Sequence, residues 1–240
     1  MLGRLRPRIR RYLLPLVPFA GERFDRKAGV ETEGHAALSD LTIGDASRTE
    51  GFLYVPTPPQ LARAWLDALE GPLHPFTLVD MGSGRGRVLL IASEKPFRRV
   101  IGVEFAVELH EAALENIRRF PNARMRCKDV TSVLKDAAAF SFPTDPLVVY
   151  FNNPFSEVVM TKVVRNLATT YEEQPRPIVV VYQQLVVEAP EHSTDNLRLL
   201  DRQPFLEGRT IRFSRRDQRA LEPFLVRMYS SPEARSRSSL

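Results

Sequence analysis

The chain has 240 residues and an apolar content of 43%, which is enough for one globular domain with a full α/β core. Cys127 is the only cysteine, so the sequence excludes an intrachain disulfide and a zinc site built on cysteines. The four histidines are scattered without ligand spacing, and we therefore expect no bound metal. No apolar run approaches the ~20 residues of a membrane span.

The net charge of +5 is concentrated at the start of the chain. Residues 1–27 hold eight basic and two acidic side chains, a balance of +6 that leaves −1 for all the others. We predict a basic arm over residues 1–20 that contacts an anionic membrane surface or holds a substrate. A partly ordered tail without a function is the alternative. Pro15 and Pro18 interrupt the apolar stretch after the arginines, which argues against an export signal.

Three further segments follow this arm. Residues 21–57 show no clear periodicity and are too long for a simple linker, so we predict a lid or a substrate-contacting segment. From residue 58 to residue 230 apolar runs alternate with helical patterns, as expected for one catalytic domain. The serine-rich residues 231–240 are predicted to be a disordered tail.

The elements of residues 58–230 follow one another in a regular order. A helix begins at Pro58 and Pro59, since proline is favoured in a first helical turn. After Tyr182 the alternation stops, and the last strands are predicted to be antiparallel at one edge. Strand–helix alternation predicts an α/β fold: a seven-stranded, mostly parallel sheet with helices on both faces. Strands are predicted at residues 76–81, 99–104, 124–128, 146–152, 177–182, 197–205 and 223–229.

The most informative signal is a glycine-rich turn between the first strand and the helix after it. An apolar run ends on Asp80, and Gly82, Gly84 and Gly86 follow at alternate positions. Glycines in such a turn let backbone N–H groups approach a ligand closely. The next apolar run ends on Glu104, whose carboxylate can accept both hydroxyls of a ribose. Because parallel strands end at the same edge of a sheet, these residues predict a nucleoside pocket.

The spacing of this turn differs from the dinucleotide fingerprint G-x-G-x-x-G, which holds a pyrophosphate. The third glycine comes one residue early, and Arg87 stands where the fingerprint has a glycine. Asp80 would repel a pyrophosphate but suits a cationic amino group. A nucleoside with an amino-acid tail and no phosphate therefore fits better, and S-adenosylmethionine is such a molecule. An NAD or FAD site, and a strand–turn–helix without a ligand, are the alternatives.

This combination resembles the first motif of the class I, Rossmann-like S-adenosylmethionine-dependent methyltransferases, and the similarity covers roughly residues 76–230. It implies that Asp129 contacts the adenine amino group of the donor. The run Asn152, Asn153, Pro154, Phe155 resembles the fourth motif, N/D-P-P-Y/F, with Asn153 in place of the first proline. The resemblance implies cofactor-binding roles for Asp80, Gly82, Ser83, Gly84, Gly86, Glu104 and Phe105.

The residues of the fourth motif are the predicted catalytic residues. An asparagine carbonyl and a backbone carbonyl can accept hydrogens from an amine and direct its lone pair, which suits a nitrogen acceptor. Phe155 would pack on the acceptor or face a cationic one. A strand-ending turn without a catalytic role is the alternative, because asparagine and proline are common turn residues. Which of Asn152 and Asn153 reaches the acceptor stays open.

A second resemblance lies upstream, in Tyr54-Val55-Pro56-Thr57. This segment is similar to one in a smaller bacterial group that is related to protein-lysine methyltransferases. The similarity implies that Tyr54 and Thr57 close over the donor, and a packing role is the alternative for Tyr54. Arg87, in the glycine turn, either reaches a carboxylate or is a solvated arginine at the start of a helix.

Together these patterns predict an S-adenosylmethionine-dependent methyltransferase that acts on a nitrogen, with a protein lysine as the favoured acceptor. The enzyme is expected to be cytoplasmic or peripheral to a membrane. RNA or a small molecule is the alternative acceptor. A non-catalytic scaffold that keeps the nucleoside pocket is the alternative from another functional class. Acceptor identity depends on loops for which the sequence offers no template.

Overall fold

The computed structural model describes residues 17–34, 41–42, 54–185, 195–213, 221 and 223–237, in which helices and strands alternate. The helices are α1 (Val17–Ala28), α2 (Pro59–Asp67), α3 (Arg87–Ser93), α4 (Val107–Arg119), α5 (Glu157–Glu173), α6 (Asp195–Asp201) and α7 (Pro232–Arg237). The strands are β1 (Thr77–Met81), β2 (Arg99–Glu104), β3 (Val130–Leu134), β4 (Leu147–Asn152), β5 (Ile178–Leu185), β6 (Glu207–Thr210) and β7 (Phe224–Ser230).

The seven described strands form one sheet in the order β3-β2-β1-β4-β5-β7-β6. Strands β1 to β5 run parallel, and β7 pairs antiparallel with both β5 and β6. In the central register Val79 of β1 lies between Ile101 of β2 and Val149 of β4. The chain builds outward from β1 on one side as far as β3 and then continues with β4 on the other side. This change of direction opens a crevice at the carboxyl ends of β1 and β4.

Helices cover both faces of the sheet, which confirms the predicted fold class. One cluster packs α1, α2 and α3 against side chains such as Leu78 and Val148. The other packs α5 and α6 against side chains such as Val79 and Val149. All five residues of β1 are buried, because successive side chains of a central strand point to two covered faces.

Three local predictions are wrong. The third strand lies at Val130–Leu134, not at residues 124–128, because this half-exposed edge strand carries polar residues that weaken its apolar signal. Residues 197–205 were predicted as a strand but begin within α6, where Leu197 and Leu200 turn to the core at helical spacing. Residues 232–237 of the predicted disordered tail form α7, which buries Ala234.

The predicted boundary between arm and lid, at residue 20, falls inside α1. Phe24 of α1 stacks on Phe120 with ring centroids 6.4 Å apart, so this helix joins the core. Residues 1–16 of the arm, and residues 35–40 and 43–53 of the predicted lid, lie outside the described residues. Within the part of the chain that is described, no helix combines the length and apolar character needed to cross a membrane.

Candidate active site

A cavity of about 370 Å³ opens at the carboxyl edge of the sheet, above the crevice between β1 and β4. Its walls come from the glycine turn, the ends of β2, β4 and β5, and the segment of residues 54–57, which we call the cover segment. The cavity brings together eleven of the residues predicted from the sequence: Tyr54, Thr57, Asp80, Gly82, Ser83, Glu104, Phe105, Asn152, Asn153, Pro154 and Phe155.

Two glycines of the turn are required by what packs against them. Gly82 and Gly84 adopt positive φ values of 87° and 53°, which favour glycine. A Cβ on Gly82 would lie 2.8 Å from the Cβ of Pro154, and one on Gly84 would lie 2.1 Å from the ring of Tyr54. The turn is therefore covered from both sides. Gly84 lies beneath the ring of Tyr54, and Gly86 directly precedes α3. Neither glycine lines the cavity.

Asp80, the last but one residue of β1, places a carboxylate in the cavity wall with 3% of its surface exposed. Burial raises its pKa well above the ordinary value, and the negative charge of Glu104 raises it further. Within the described residues no group donates a hydrogen bond to this carboxylate. A buried acid without a partner is costly, and a cationic group in the cavity would relieve that cost.

Glu104, at the end of β2, is buried but firmly held. Its Oε1 accepts the backbone N–H groups of Phe105 and Ala106, each at 3.0 Å, and its Oε2 accepts the N–H of Gly84 at 2.8 Å. Burial raises the pKa of Glu104, and these three hydrogen bonds oppose that rise. The carboxylate is thus fixed against the glycine turn, and its remaining lone pairs are available to hydroxyl donors.

The structure does not bring Asp129 to the cavity. Asp129 comes directly before β3, at the opposite edge of the sheet, and its carboxylate pairs with Arg99 at 2.6 Å. The cause is the predicted position of the third strand. A strand at residues 124–128 would have placed Asp129 at its carboxyl end, whereas β3 begins after Asp129. The acid that follows β3 is Asp136, two residues beyond the strand, where Lys135 donates its backbone N–H to the carbonyl of Glu104. The Oδ1 of Asp136 accepts the backbone N–H of Ala138 at 2.8 Å.

Arg87 reaches carboxylates and is almost fully buried, which decides between the two alternatives for this residue. Its partners lie on residues 25–34, which we call the N-terminal strap. Nε donates to Thr32 Oγ1 at 2.7 Å, and Nη2 lies 3.0 Å from a carboxylate oxygen of Glu33. Nη1 donates to the carbonyl of Thr57 at 3.4 Å. The strap and the cover segment are thus joined through one guanidinium, which is 2% exposed.

Tyr54 is the second link between the cover segment and the strap. Its hydroxyl donates to the carbonyl of Thr32 at 2.8 Å while its ring packs on Gly84. Burial raises the pKa of Tyr54 above its ordinary range, so the hydroxyl stays protonated. Beside the end of β2, Leu41 packs with Phe105 and Leu109. Strap and cover segment therefore enclose the glycine turn from above.

The turn after β4 holds its two asparagines differently. Asn152 accepts a hydrogen bond from Gln183 Nε2 at 2.8 Å and donates to the carbonyl of Val55 at 3.1 Å. Asn153, with a φ of 41°, accepts the hydroxyl of Tyr182 at 2.5 Å. The side chains that hold this turn therefore come from the end of β5.

Sequence reasoning missed Tyr182 and Gln183, which follow the apolar run of the fifth strand. The rule that singled out Glu104, a polar residue after a buried parallel strand, applies equally to them. Gln183 directly follows the predicted end of this strand at residue 182, and β5 itself continues to Leu185. Tyr150 is buried in the core and also lines the cavity.

No family model and no curated protein sequence matches the chain. Solved structures do match in fold. Precorrin-6y C5,15-methyltransferase from Geobacter metallireducens GS-15 is 12% identical with a TM-score of 0.51, over 80% of this chain and 95% of that one. This chain has the Rossmann-like methyltransferase fold. Cofactor-bound Rv0187 from MTB has that fold at 15% identity and a TM-score of 0.51, over 75% of this chain and 82% of its own. The YcgJ protein from Bacillus subtilis follows at 13% identity and a TM-score of 0.50, over 71% and 97% of the two chains.

Proposed function

We propose that the chain is an S-adenosylmethionine-dependent methyltransferase that methylates a nitrogen, with the side chain of a protein lysine as the acceptor. The observation that carries the proposal is the pairing of Asp80 and Glu104 in one cavity at the edge of a methyltransferase fold. One carboxylate is buried without a donor and the other is fixed against a glycine turn.

The residues present fit the donor part by part. Asp80 suits the ammonium of the amino-acid tail, because that cation would neutralise a buried and unpaired carboxylate. Glu104 suits the two ribose hydroxyls through its remaining lone pairs. Asp136, after β3, takes the adenine amino group in place of Asp129, since it lies at the carboxyl edge. Two carboxylates in the cavity wall suit a cationic donor and disfavour a pyrophosphate.

The acceptor side supports an alkyl amine. Val55, Leu185 at the end of β5 and Phe224 at the start of β7 also line the cavity, and Leu185 pairs with Phe224 in the sheet. Such apolar side chains suit the methylenes of a lysine, whose amine would then meet the polar turn at Asn153. Phe155 lines the same cavity and is 8% exposed.

Methyl transfer asks these residues mainly for alignment. The donor supplies an activated methyl group on a sulfonium. The acceptor nitrogen must arrive neutral, with its lone pair in line with the methyl–sulfur bond, and the turn after β4 holds it there. The cover segment lines the cavity and would limit the access of water to a bound donor. Asn153 does not touch the adenosine in this arrangement, so its loss affects rate more than donor affinity.

The decisive experiment follows a labelled methyl group. Purified protein is incubated with methyl-labelled S-adenosylmethionine and unfractionated cell lysate. We expect label that is removed by protease but not by RNase, and that hydrolysis recovers as methylated lysine. RNase-sensitive or low-molecular-weight label would replace the lysine proposal with the corresponding alternative. No labelled product despite donor binding would favour the non-catalytic scaffold.

A binding titration tests the donor separately. Glu104→Ala should weaken S-adenosylmethionine binding about 10- to 100-fold in calorimetry, since hydrogen bonds of a charged partner are lost. Glu108→Ala is a matched control, because this exposed carboxylate binds the backbone of Thr42 outside the cavity. Tighter binding of NAD than of S-adenosylmethionine by the wild type would overturn the cofactor proposal.

A further inference from the structure

A chain of hydrogen bonds begins and ends in the cover segment. The Thr57 hydroxyl lies 2.8 Å from that of Tyr150, which donates to Gln183 Oε1 at 2.7 Å. Gln183 Nε2 donates to Asn152 Oδ1 at 2.8 Å, and Asn152 Nδ2 donates to the carbonyl of Val55 at 3.1 Å. The side chains thus form a closed loop through the segment Val55 to Thr57.

The direction of every bond in this loop is determined. The carbonyl of Val55 only accepts, so Asn152 presents its NH₂ there and its oxygen to Gln183. Gln183 then presents its own oxygen to Tyr150, whose single proton is used in that bond. Thr57 must therefore donate to Tyr150. This ordered network is buried at Thr57 and Tyr150 and exposed at Val55, and it is satisfied only when the cover segment is in place.

Both ends of the Asn152 amide thus make a contact within the protein, which leaves one amide proton and one oxygen lone pair for other partners. Asn152 occupies the position that the fourth motif gives to the residue that orients the acceptor, yet its carbonyl is bound to Gln183 and its NH₂ to Val55. What Asn152 holds is the cover segment, which walls the donor cavity.

Asn153 is held by different partners. Its backbone has a φ of 41°, in the left-handed region that asparagine adopts more readily than most residues other than glycine. Tyr182 donates to Asn153 Oδ1 at 2.5 Å and accepts from Asn196 Nδ2 at 3.1 Å. Asn196 also donates to the carbonyl of Phe155 at 3.0 Å, so both ends of the turn are fixed.

We propose that two neighbouring residues of β5 give Asn152 and Asn153 different roles. Gln183 ties Asn152 into a latch that holds the cover segment beside the donor. Tyr182 is a positioning residue that aims Asn153 at the acceptor. This inference rests on the proposed methyltransferase function and predicts a crossed pattern: losing the latch weakens donor binding, and losing the Tyr182 hydroxyl slows transfer.

The latch is tested by donor affinity. Gln183→Met keeps the length of the side chain and removes both hydrogen bonds, so we expect S-adenosylmethionine to bind about 10-fold more weakly in calorimetry. Gln184→Met is the matched control. Gln184 is the next residue of the strand and is also buried, but its amide oxygen has no hydrogen-bond partner and it does not line the cavity. This control should bind the donor as the wild type does.

The positioning role is tested by single-turnover transfer at saturating donor. The probe is methyl-labelled S-adenosylmethionine with unfractionated lysate as the acceptor. Tyr182→Phe should transfer about 10- to 100-fold more slowly at unchanged donor affinity, because the acceptor is misaligned. Tyr229→Phe is the matched control, since this equally buried tyrosine bonds Asp201 at 3.0 Å away from the cavity.

Each outcome separates this inference from the proposed function. A wild type that binds no donor overturns the function and the inference with it. If the wild type binds and transfers, normal donor binding by Gln183→Met or normal transfer by Tyr182→Phe overturns only the separate roles of the two asparagines. If either variant melts below its control, Asn152→Asp and Asn153→Ala replace them, with the same crossed expectation: the first loses donor affinity and the second loses rate.

Discussion

Asp80 is the residue at which stability and function oppose each other. Its carboxylate lies in the cavity wall, 3% exposed, and both burial and the charge of Glu104 raise its pKa. A raised pKa means that the folded protein holds the proton more tightly than the unfolded chain. The contribution of Asp80 to stability is therefore highest below the ordinary carboxyl pKa and falls as the pH rises through the raised value.

Asp80→Asn should accordingly stabilise the protein without donor. The melting temperatures of the variant and the wild type should be compared across a pH series. Their difference should appear above the ordinary carboxyl pKa and become constant above the raised pKa of Asp80. The same variant should bind S-adenosylmethionine about 10- to 100-fold more weakly, because the ammonium loses its anionic partner. A variant that melts below the wild type at neutral pH would show that the carboxylate has a stabilising partner.

The proposed contact with the adenine amino group can be tested by comparing Asp136 with Asp129, the acid that the sequence predicts for it. Asp136→Ala should weaken binding of S-adenosylmethionine, and of adenosine itself, about 10-fold, since a hydrogen bond to the base is lost. Asp129→Ala removes only an exposed ion pair with Arg99 and should leave both affinities unchanged. Equal affinities for the two variants would remove Asp136 from the site.

At the scale of elements, the sequence predicts the centre of the sheet better than its edges. Strand β2 has the predicted bounds and β4 differs by one residue, because strands covered on both faces appear as continuous apolar runs. Strand β3 lies at the edge of the sheet and mixes apolar with polar residues, so its position was missed. Asp80 and Glu104 lie at the carboxyl ends of β1 and β2 and were found, whereas Tyr182 and Gln183 inside β5 were missed.

The sequence predicts a lid or substrate-contacting segment over residues 21–57, but it does not predict the contacts of the N-terminal strap within it, because the partners of the strap are distant in sequence. Thr32 lies 55 residues from Arg87, and Asn116 of α4 bonds Glu31 across 85 residues. Neither contact leaves a local pattern. Asp25 accepts the backbone N–H groups of Thr32 and Glu33 at 2.6 and 2.8 Å, which gives the strap its shape.

Arg87→Ala tests the strap as an element. Removing the guanidinium leaves the carboxylate of Glu33 without its cation, and breaking a buried pair costs about 3–5 kcal/mol. We expect a loss of that order in denaturant-induced unfolding, together with weaker donor binding as the cover segment loosens. Arg119→Ala removes the exposed pair with Glu31 and should cost no more than about 1 kcal/mol. Equal losses for the two variants would mean that the strap is not anchored at Arg87.

At the scale of the whole molecule, the proposed donor and acceptor sites occupy different halves of one sheet. The carboxylates of β1 and β2 lie on one side of the crevice, and the polar ends of β4 and β5 lie on the other. The cover segment bridges them, since Tyr54 bonds the strap and Val55 bonds Asn152. Donor binding and acceptor alignment are therefore joined through one short segment, which is where their coupling is expected.

Residues 1–16 of the basic arm carry a net positive charge that the rest of the chain lacks. Residues 1–16 contain five arginines and no acidic residue, and they precede α1. At roughly 1 kcal/mol for each basic residue near an anionic surface, the five arginines would favour binding by about 10³- to 10⁴-fold at low salt. We expect the full chain to sediment with phosphatidylserine vesicles and to be released by added salt, which screens such contacts.

A chain that lacks residues 1–16 should stay in solution and bind S-adenosylmethionine with unchanged affinity, because the deletion stops before α1. Removing residues 1–20 would instead cut into that helix, whose Phe24 packs against Phe120, and should lower the melting temperature. Phosphatidylcholine vesicles, which carry no net charge, are the control and should bind neither protein. Retention of the shortened chain on phosphatidylserine vesicles would assign membrane contact to the folded domain, and loss of donor binding on removal of residues 1–16 would place the arm in the site.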